Sequence, residues 1–590
     1  MSRYDRYGLP VRRWDSVASF RRGSKLLAGI DVIALPSGSI VEMFTSGDVT
    51  APRTATIPVV FTGAIAQRDT IEPPYFGGTN MGRELDIPVI SISDPLLSVD
   101  PEINLGWYTG TASDGSQQGI TDILSALRDV CSSLLLVGGD GGSFAALYYA
   151  NRIGRNTRVL AWNLETDLLR YNPSFVRKYL CAALRDSAWL EAEFDEDAAR
   201  VALDAAGIDS RITSFNEAAA TLILQDFEDW RATVHAIPFI REAGLERLVD
   251  GLHVSTDGRL ALGITSHGEG GGAPSIHTLA LAIKSMAEGA APITTFGRLI
   301  AEGAMSVNDQ ESSSGHEIPN WHKHEHEVSC TQLKFLGKNL VLAGFAEDYI
   351  FEVVRKTHEP YERRFLEALI EHIEPGDLVV DVGANIGNHA ITLASGGKVN
   401  VVAFEPQDAV AQVLELNVAL NALDKEIKVE RAAVGSAPGH ARAKRVDWSN
   451  VGSTQYELTS TGTRVIRLDD YNFDAPVRLI KIDAEGMDID VLRGARATID
   501  RYRPFLTCEV GNRREIDALD LLVVELGYTY LAQYNATPTY ILAPARSPLE
   551  KVRIERLNAV QRTQTLLSTR DLQWQAQVLR DRTERLDALE

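Results

Sequence analysis

In the C-terminal half of the chain, an apolar segment runs into a glycine-containing turn and then into a helix of small residues. The run is LVVDVGANIGNHAITLA, in which Asp381 ends the apolar segment and Gly383 and Gly387 lie in the turn. Glycine lets the backbone turn sharply and approach a ligand closely, and ligands of parallel α/β sheets bind beyond the carboxyl ends of the strands. The run therefore predicts a Rossmann-like first strand and turn, although its spacing differs from the G-x-G-x-x-G dinucleotide fingerprint.

Acidic residues follow two further apolar segments in the same half. Glu405 ends VNVVAFEP, twenty-four residues after Asp381, where an acid at the tip of the next strand can hold ribose hydroxyls. Asp483 and Glu485 follow RLIKI, another apolar strand candidate. These acids should meet the glycine turn at one edge of a sheet, and the spacing of that turn suits S-adenosylmethionine better than a pyrophosphate.

Several motifs in one order make this half, from about Asp348 to Pro544, resemble the FkbM methyltransferase family. They are Tyr361-Glu362, PGDLVVDVGANIGNHA, VVAFEP with LNVALN, AAVG, NVGST, RLIKIDAEG with VLRGA, and RPFLTCEV. The resemblance implies a class I (Rossmann-like) methyltransferase fold, S-adenosylmethionine as methyl donor, and a hydroxyl acceptor on a sugar, a polysaccharide or another secondary metabolite. It also implies the residues that bind the donor: Asp381, Gly383, Ala384, Asn385, Gly387, Glu405 and Asn417.

Methyl transfer to a hydroxyl needs alignment of the acceptor oxygen and removal of its proton. The candidate bases are Asp483, Glu485 and His389; a carboxylate on a strand end is rigidly placed, which favours Asp483, whereas His389 has the better unperturbed pKa. Magnesium could bridge Asp483 and Glu485, but the sequence does not require a metal. Structural roles are the alternative: Asn385 would cap a helix, Asn417 would be a surface residue, and Glu485 would orient backbone.

The N-terminal half alternates short apolar runs with amphipathic segments, which predicts an α/β fold with a mainly parallel sheet. Its strand candidates are IPVVFTGA, IPVISIS, SLLLVGG, RVLAW, ATVHAIPF and RLALGITS. SLLLVGGDGGSFAALYYANRI resembles the nucleophile elbow of α/β-hydrolases, G-x-S-x-G, with Asp140 in place of the serine. An aspartate can form an ester intermediate, so Asp140 and His267 make a second candidate site. A binding or scaffold domain without catalysis is the alternative.

The chain of 590 residues is long enough for several domains. The sequence predicts an α/β-hydrolase-like domain over 1–301, a polar linker over 302–330, the methyltransferase domain over 331–546, and a helical tail over 547–590. Leucines in the tail follow a rough heptad, which indicates a long helix or a coiled coil that forms a homo-oligomer or binds a partner helix.

Composition limits partners and location. The formal net charge of −21 repels phosphate backbones, which argues against a nucleic-acid partner. The sequence has no apolar run of membrane-spanning length, and its four cysteines form no C-x-x-C pair. We therefore expect a cytoplasmic protein.

Two functions fit this sequence. The first is an S-adenosylmethionine-dependent O-methyltransferase that acts on a hydroxyl of a glycan, a polysaccharide or a glycosylated metabolite. The alternative is an assembly or scaffold component of a surface-polysaccharide biosynthesis complex, with an active or degenerate hydrolase-like N-terminal domain.

Overall fold

The computed structural model describes residues 3–49, 55–65, 68, 71–79, 81–154, 156–213, 219–249, 251–266, 272–307 and 328–545. The chain divides into two compact units, of which unit 1 consists mainly of residues before 333 and unit 2 mainly of residues from 333 onward. The predicted tail, 547–590, and His267 lie outside the described residues.

Unit 1 is built around one large sheet. Its strands are β1 (Val11–Trp14), β2 (Gly29–Ala34), β3 (Ile40–Thr45), β4 (Thr56–Phe61), β5 (Ile90–Ile92), β6 (Ser133–Gly139), β7 (Thr157–Trp162), β8 (Ala220–Asp226), β9 (Glu246–Val249), β10 (Leu252–Val254), β11 (Leu260–Ser266) and β12 (Ser306–Val307). Its helices are α1 (Val17–Gly23), α2 (Met81–Leu85), α3 (Ser116–Arg128), α4 (Gly141–Ile153), α5 (Pro173–Leu184), α6 (Ala188–Glu191), α7 (Glu196–Ala205), α8 (Ile237–Glu242), α9 (Ile276–Ala287) and α10 (Pro292–Ala301).

The strand order in this sheet is β1-β2-β3-β5-β4-β6-β7-β8-β11-β10-β9, and β12 pairs with β11. The centre, from β5 through β11, is parallel, so the predicted α/β class with a mainly parallel sheet is confirmed. The α/β-hydrolase assignment of this unit stays a prediction. Central strands such as β6 are buried on both faces, which is why SLLLVGG is apolar throughout.

Two details of unit 1 differ from the sequence prediction. ATVHAIPF, predicted as a strand, is helical, because its residues form a helical turn over Ala232–Ala236 and the start of α8. A short apolar run does not distinguish a strand from a buried helix, and here the helix is the one formed. The predicted linker of 302–330 also contains β12, and its last residues begin a strand at Val328, while 308–327 lie outside the described residues.

A hairpin of β13 (Val328–Phe335) and β14 (Lys338–Phe345) precedes the α/β part of unit 2. The further strands are β15 (Leu378–Val382), β16 (Asn400–Phe404), β17 (Ile427–Glu430), β18 (Ala433–Val434), β19 (Gly439–Ala443), β20 (Tyr456–Thr459), β21 (Thr463–Ile466), β22 (Val477–Ile482), β23 (Phe505–Glu509), β24 (Tyr528–Tyr534) and β25 (Thr539–Pro544). The helices are α11 (Tyr349–Thr357), α12 (Arg363–Ile370), α13 (Asn388–Gly397), α14 (Asp408–Leu420), α15 (Asp488–Gly494), α16 (Arg496–Tyr502) and α17 (Arg513–Leu526).

The main sheet of unit 2 has the order β17-β16-β15-β22-β23-β25-β24. Its first five strands are parallel, and β25 and β24 close one edge in the antiparallel sense. A smaller sheet has the order β18-β21-β19-β20. The three strand candidates of this half, in LVVDVG, VNVVAFEP and RLIKI, are confirmed as β15, β16 and β22. The parallel arrangement brings the ends of β15, β16, β22 and β23 to one edge.

Candidate functional site

The turn after β15 follows a left-handed backbone path. Gly383, Asn385 and Gly387 have φ values of +74°, +51° and +92°. A Cβ on Gly383 would lie 1.8 Å from the carbonyl oxygen of Asp483, so β22 approaches the turn too closely for any side chain at this position. The glycine of the motif is thus required both by its backbone conformation and by the neighbouring strand.

Glu405 follows β16 and is held rigidly by backbone amides of two loops. Asn385 N donates to Oε2 and Gln407 N donates to Oε1, each over 2.9 Å. The side chain is buried, which raises the pKa of Glu405 to about 7. Glu405 thereby fixes the turn after β15, and its carboxylate retains lone pairs that can accept hydroxyl groups.

Asp381 differs from the prediction that it lines a donor pocket. Its side chain is completely buried, and Lys481 Nζ lies 3.0 Å from its Oδ1. Lys481 also donates to the carbonyl oxygen of Gly383 over 3.1 Å and lies 3.5 Å from Asp483 Oδ2. Asp381 is completely buried, whereas Asp483, at the end of the neighbouring strand, is 35% exposed. Asp381 contacts the ligand edge only through Lys481.

Asp483 forms a carboxylate pair with Glu509, which sequence reasoning missed. Glu509 ends β23, next to β22, and the two carboxyl groups are joined by a hydrogen bond. Lys481 keeps the pKa of Asp483 below its ordinary value, whereas burial and the neighbouring Asp483 raise the pKa of Glu509 to about 9. At neutral pH the pair therefore holds one proton on Glu509, and Asp483 accepts the hydrogen bond as the charged partner.

Two more carboxyl groups lie beside this pair. Burial together with Asp483 and Asp488 raises the pKa of Glu485 to about 7, and its backbone has a φ of +44°. Asp488 accepts from the backbone amides of Ala484 and Glu509, each over 3.1 Å, so it fixes the two strand ends that carry the pair. The predicted residues Asp483 and Glu485 are thus brought to one place, with Glu509 as their third member.

A cavity of about 230 Å³ lies at this edge of the sheet. Of the residues predicted from the sequence, it is lined by Gly383, Asn385, Glu405, Asp483 and Glu485. Its remaining polar lining residues are Tyr349, Tyr361, Glu362, Gln407, Asn450, Thr454, Tyr456, Glu509 and Thr537. The apolar part includes Phe404 and Val410 beside Glu405, a combination that fits an aromatic base and a ribose.

The other residues predicted from the sequence lie behind this lining. Asn417 is fully buried, and its amide bonds the backbone of Ala343 and the carbonyl oxygen of Ile386 over 2.6–2.8 Å. It therefore holds the turn in place, and the alternative of a surface polar residue is wrong. His389 lies 3.3 Å from Glu362 and is 8% exposed. Ala384 N donates to the carbonyl oxygen of Phe404, and the carbonyl oxygen of Gly387 accepts from Ile391 N in α13. Both residues therefore support the turn through their backbone.

The NVGST segment reaches the cavity through Asp348, another residue that sequence reasoning missed. Asp348 is completely buried, caps α11 by accepting from Phe351 N, and accepts from Val451 N over 2.9 Å. The sequence does contain the signal for a helix cap, an aspartate before an amphipathic helix. The second partner of Asp348, Val451, lies 103 residues away and gives no local signal. This cap places Asn450 and Thr454 at the cavity wall.

In unit 1, Asp140 lies between β6 and α4 in a strained conformation, with φ of 51° and ψ of −128°. Its carboxylate lies 3.4 Å from Arg231 Nη1 and accepts from Asn163 Nδ2 over 3.4 Å. Arg231 is also bonded to the buried Glu165 over 2.7 Å. Burial raises the pKa of Asp140, and Arg231 opposes that effect. Strained non-glycine residues of this kind cluster at functional sites.

Neither membrane spanning nor metal binding is indicated by the part of the chain that the structure describes. Its helices include none that is both long enough and apolar enough to cross a membrane. Its His, Cys, Asp and Glu side chains include no group of three or more arranged to hold a metal ion.

Comparison with known proteins agrees with the unit 2 geometry. Residues 381–530 match the family model described as the methyltransferase FkbM domain. The hexuronic acid methyltransferase AglP of Haloferax volcanii is 26% identical over 165 residues, which are 26% of this chain and 64% of that protein. The chain thus spans less than two thirds of this relative.

Solved structures give a fainter likeness. The methyltransferase FkbM from Methylobacillus flagellatus has a TM-score of 0.22 at 20% identity and covers 30% of this chain and 50% of that one. A putative tRNA (m1A22) methyltransferase of Streptococcus pneumoniae, in complex with S-adenosyl-L-methionine, has a TM-score of 0.21 at 17% identity over 30% of this chain and 70% of that one. TM-scores this low carry no argument about function. The family match carries more weight than these structures, and it is confined to residues 381–530, which match the methyltransferase FkbM domain.

Proposed function

We propose that the protein is an S-adenosylmethionine-dependent O-methyltransferase that acts on a hydroxyl of a glycan, a polysaccharide or a glycosylated metabolite. The observation that carries the proposal is the unit 2 cavity, which has Glu405 on one side and the hydrogen-bonded carboxyl groups of Asp483 and Glu509 on the other. One side suits a nucleoside, and the other suits a hydroxyl that must lose a proton.

The residues present fit the donor. Gly383 and Asn385 line the cavity, and a Cβ on Gly383 would lie 1.8 Å from the carbonyl oxygen of Asp483, so the turn and the end of β22 meet through backbone alone. Glu405 is held by two backbone amides and can accept the two ribose hydroxyls, while Phe404 and Val410 offer apolar contacts to a base. S-adenosylmethionine supplies the methyl carbon when bound. The protein's part is to hold the acceptor oxygen in line with it.

Asp483 is the residue we assign as proton acceptor. It is charged at neutral pH because Lys481 lies 3.5 Å away, and Glu509 donates a hydrogen bond to it. The acceptor hydroxyl would give its proton to this carboxylate while its oxygen takes the methyl group in place of the donor's sulfur. Glu485 also lines the cavity and has a pKa near 7, so it is the second candidate base. His389 is 8% exposed, lies outside the lining and is paired with Glu362, which makes it the weakest of the three.

A sugar acceptor is supported by the name of the relative, which methylates a hexuronic acid. The cavity also offers tyrosines, asparagines and threonines suited to hydroxyl-rich ligands. Location in the cytoplasm and assembly through residues 547–590 remain proposals that depend on the sequence alone.

The test uses the full chain, calorimetry with S-adenosylmethionine, and mass spectrometry of a glycan panel after incubation with labelled donor. Asp483→Asn should lower kcat/KM by about 10²–10⁴-fold and leave donor affinity almost unchanged. Asp517→Asn, on the exposed side of α17, is the matched control. A correctly folded wild-type chain that gives no heat with the donor would refute the proposal.

A second candidate activity belongs to unit 1, where the strained Asp140 favours a hydrolase that works through an aspartyl ester. The carboxylate would attack the carbon that bears the leaving group, and water would then hydrolyse the ester and restore Asp140. A hydrolysis screen of substrates that carry a leaving group on a saturated carbon, such as alkyl halides, with the wild type, Asp140→Asn and the control Asp129→Asn tests it. Activity that survives in Asp140→Asn excludes this residue as the nucleophile.

A further inference from the structure

Acidic residues line the unit 2 cavity. Five carboxyl groups line it, those of Glu362, Glu405, Asp483, Glu485 and Glu509. Among the described residues that line it there is no lysine, arginine or histidine. A ligand that carries its own negative charge would therefore enter a partly buried site beside the charged Asp483, with no cation in the described lining to pair with it.

The cations closest to the cavity are already engaged. Lys481 is 4% exposed and lies 3.0 Å from the buried Asp381 and 3.5 Å from Asp483 in the lining, so its charge is shared between two carboxylates. His389 lies 3.3 Å from Glu362. Neither side chain offers an acceptor a direct ion pair, because both are enclosed with their acidic partners.

Binding of the donor explains only some of the acidic residues in the cavity lining. S-adenosylmethionine carries a net positive charge, which favours an acidic pocket, and Glu405 is placed for its ribose. Glu485 and Glu509 lie beyond these roles, and burial first and Asp483 second raise the pKa of both groups. A site that disfavours the charged form of its own carboxyl groups also disfavours a further negative charge on a ligand.

We propose that the acceptor is a sugar that is uncharged or carries an amino group near the reacting hydroxyl, and that uronic acids are excluded. This inference rests on the proposed methyltransferase function and gives its acceptor a charge class. The proposed acceptor differs from the hexuronic acid that appears in the name of the relative. An acceptor without a carboxylate also agrees with methylation of a hydroxyl, because a carboxylate acceptor has no proton for Asp483 to remove.

The experiment compares three probes that differ at one carbon: p-nitrophenyl glucoside, p-nitrophenyl glucuronide and p-nitrophenyl 6-amino-6-deoxyglucoside, with the matching galactosides and mannosides. The full chain is incubated with labelled S-adenosylmethionine, and products are identified by mass spectrometry. In at least one ring configuration the neutral or amino sugar should react at least tenfold faster than its uronic acid, and no methyl ester should form.

Glu485→Gln keeps the size of the side chain and removes its charge, so the preference against the uronic acid should shrink severalfold. Asp517→Asn, far from the cavity on α17, should keep the wild-type preference. Faster reaction of a uronic acid, or a methyl ester product, overturns the proposal, as does an absence of transfer to every sugar while calorimetry shows bound donor. Absence of donor binding instead refutes the methyltransferase function itself, which keeps the two failures distinct.

Discussion

Lys481 Nζ lies 3.0 Å from Asp381 Oδ1, and the two side chains are only 4% and 0% exposed. The pair joins β22 to β15 directly beneath the glycine turn, because Asp381 and Lys481 are partners in the register of these parallel strands. Removal of one member of a buried ion pair leaves an uncompensated charge, whereas removal of both is often nearly neutral. Substitution of Asp381 therefore changes stability before it changes any contact with a donor.

Lys481→Met should lower the free energy of unfolding by about 3–5 kcal/mol. Combination with Asp381→Asn should restore part of the loss, because the unpaired carboxylate is then also gone. Calorimetric unfolding of the full chain measures both. Arg496→Met removes an exposed pair with Asp500 and should cost at most about 1 kcal/mol. Strict additivity of the two buried substitutions would show that they do not act as a pair.

Gly383→Ala should be far more damaging than Gly376→Ala. Both glycines have positive φ, +74° and +90°, so both substitutions impose a similar backbone strain of about 1–2 kcal/mol. A Cβ on Gly376 meets nothing within 4 Å, whereas one on Gly383 meets the carbonyl oxygen of Asp483. Melting temperatures and donor titrations of the two variants separate the effect of backbone strain from that of the steric clash with Asp483. Equal losses in both variants would mean that the close approach of β22 is unimportant.

The sequence predicted the strands of unit 2 and the acids at their ends because apolar runs before a turn are a local signal. It could not identify Glu509, since the partner of Asp483 depends on which strand lies beside β22, and that order is set by the whole sheet. The sequence could have identified Lys481, because it lies two residues before Asp483 and therefore projects on the same side of the strand. A lysine in an otherwise apolar strand indicates a buried partner.

Asn417 and ATVHAIPF show the limits of local patterns in a different way. The helix that carries Asn417 gives no sign that its amide bonds the backbone on two other segments, 31 and 74 residues away. ATVHAIPF has the apolar content of a strand, and only packing decides that it is helical. Local sequence thus identified the elements, and long-range contacts decided the roles of residues within them.

Glu405→Gln should weaken binding of S-adenosylmethionine by about 10–100-fold, because hydrogen bonds to a charged acceptor are lost, at about 1.5–3 kcal/mol. In the wild type, affinity should fall as pH decreases through about 7, where Glu405 takes up its proton. The variant should lack this step. Calorimetric titration at several pH values checks both, with Asp517→Asn as control. An affinity in Glu405→Gln equal to that of the wild type would remove Glu405 from the donor site.

Glu509 should make the folded protein lose stability as the solution becomes alkaline. Its pKa is raised from an ordinary 4.5 to about 9 in the folded chain, by burial and by Asp483 first and by Glu485 and Asp488 after them. Between these two pH values the folded state binds a proton that the unfolded state releases. The free energy of unfolding must therefore decrease as pH rises through this window.

Glu509→Gln removes that titration and keeps a group able to donate to Asp483. The melting temperature of the wild type should thus fall more steeply than that of Glu509→Gln between about pH 6 and about pH 9. Glu525→Gln, on the exposed side of α17, should follow the wild-type curve. Asp483 stays charged throughout, so the difference between the curves reports the proton on Glu509. Parallel curves for the wild type and Glu509→Gln would mean that the pair holds no proton at neutral pH.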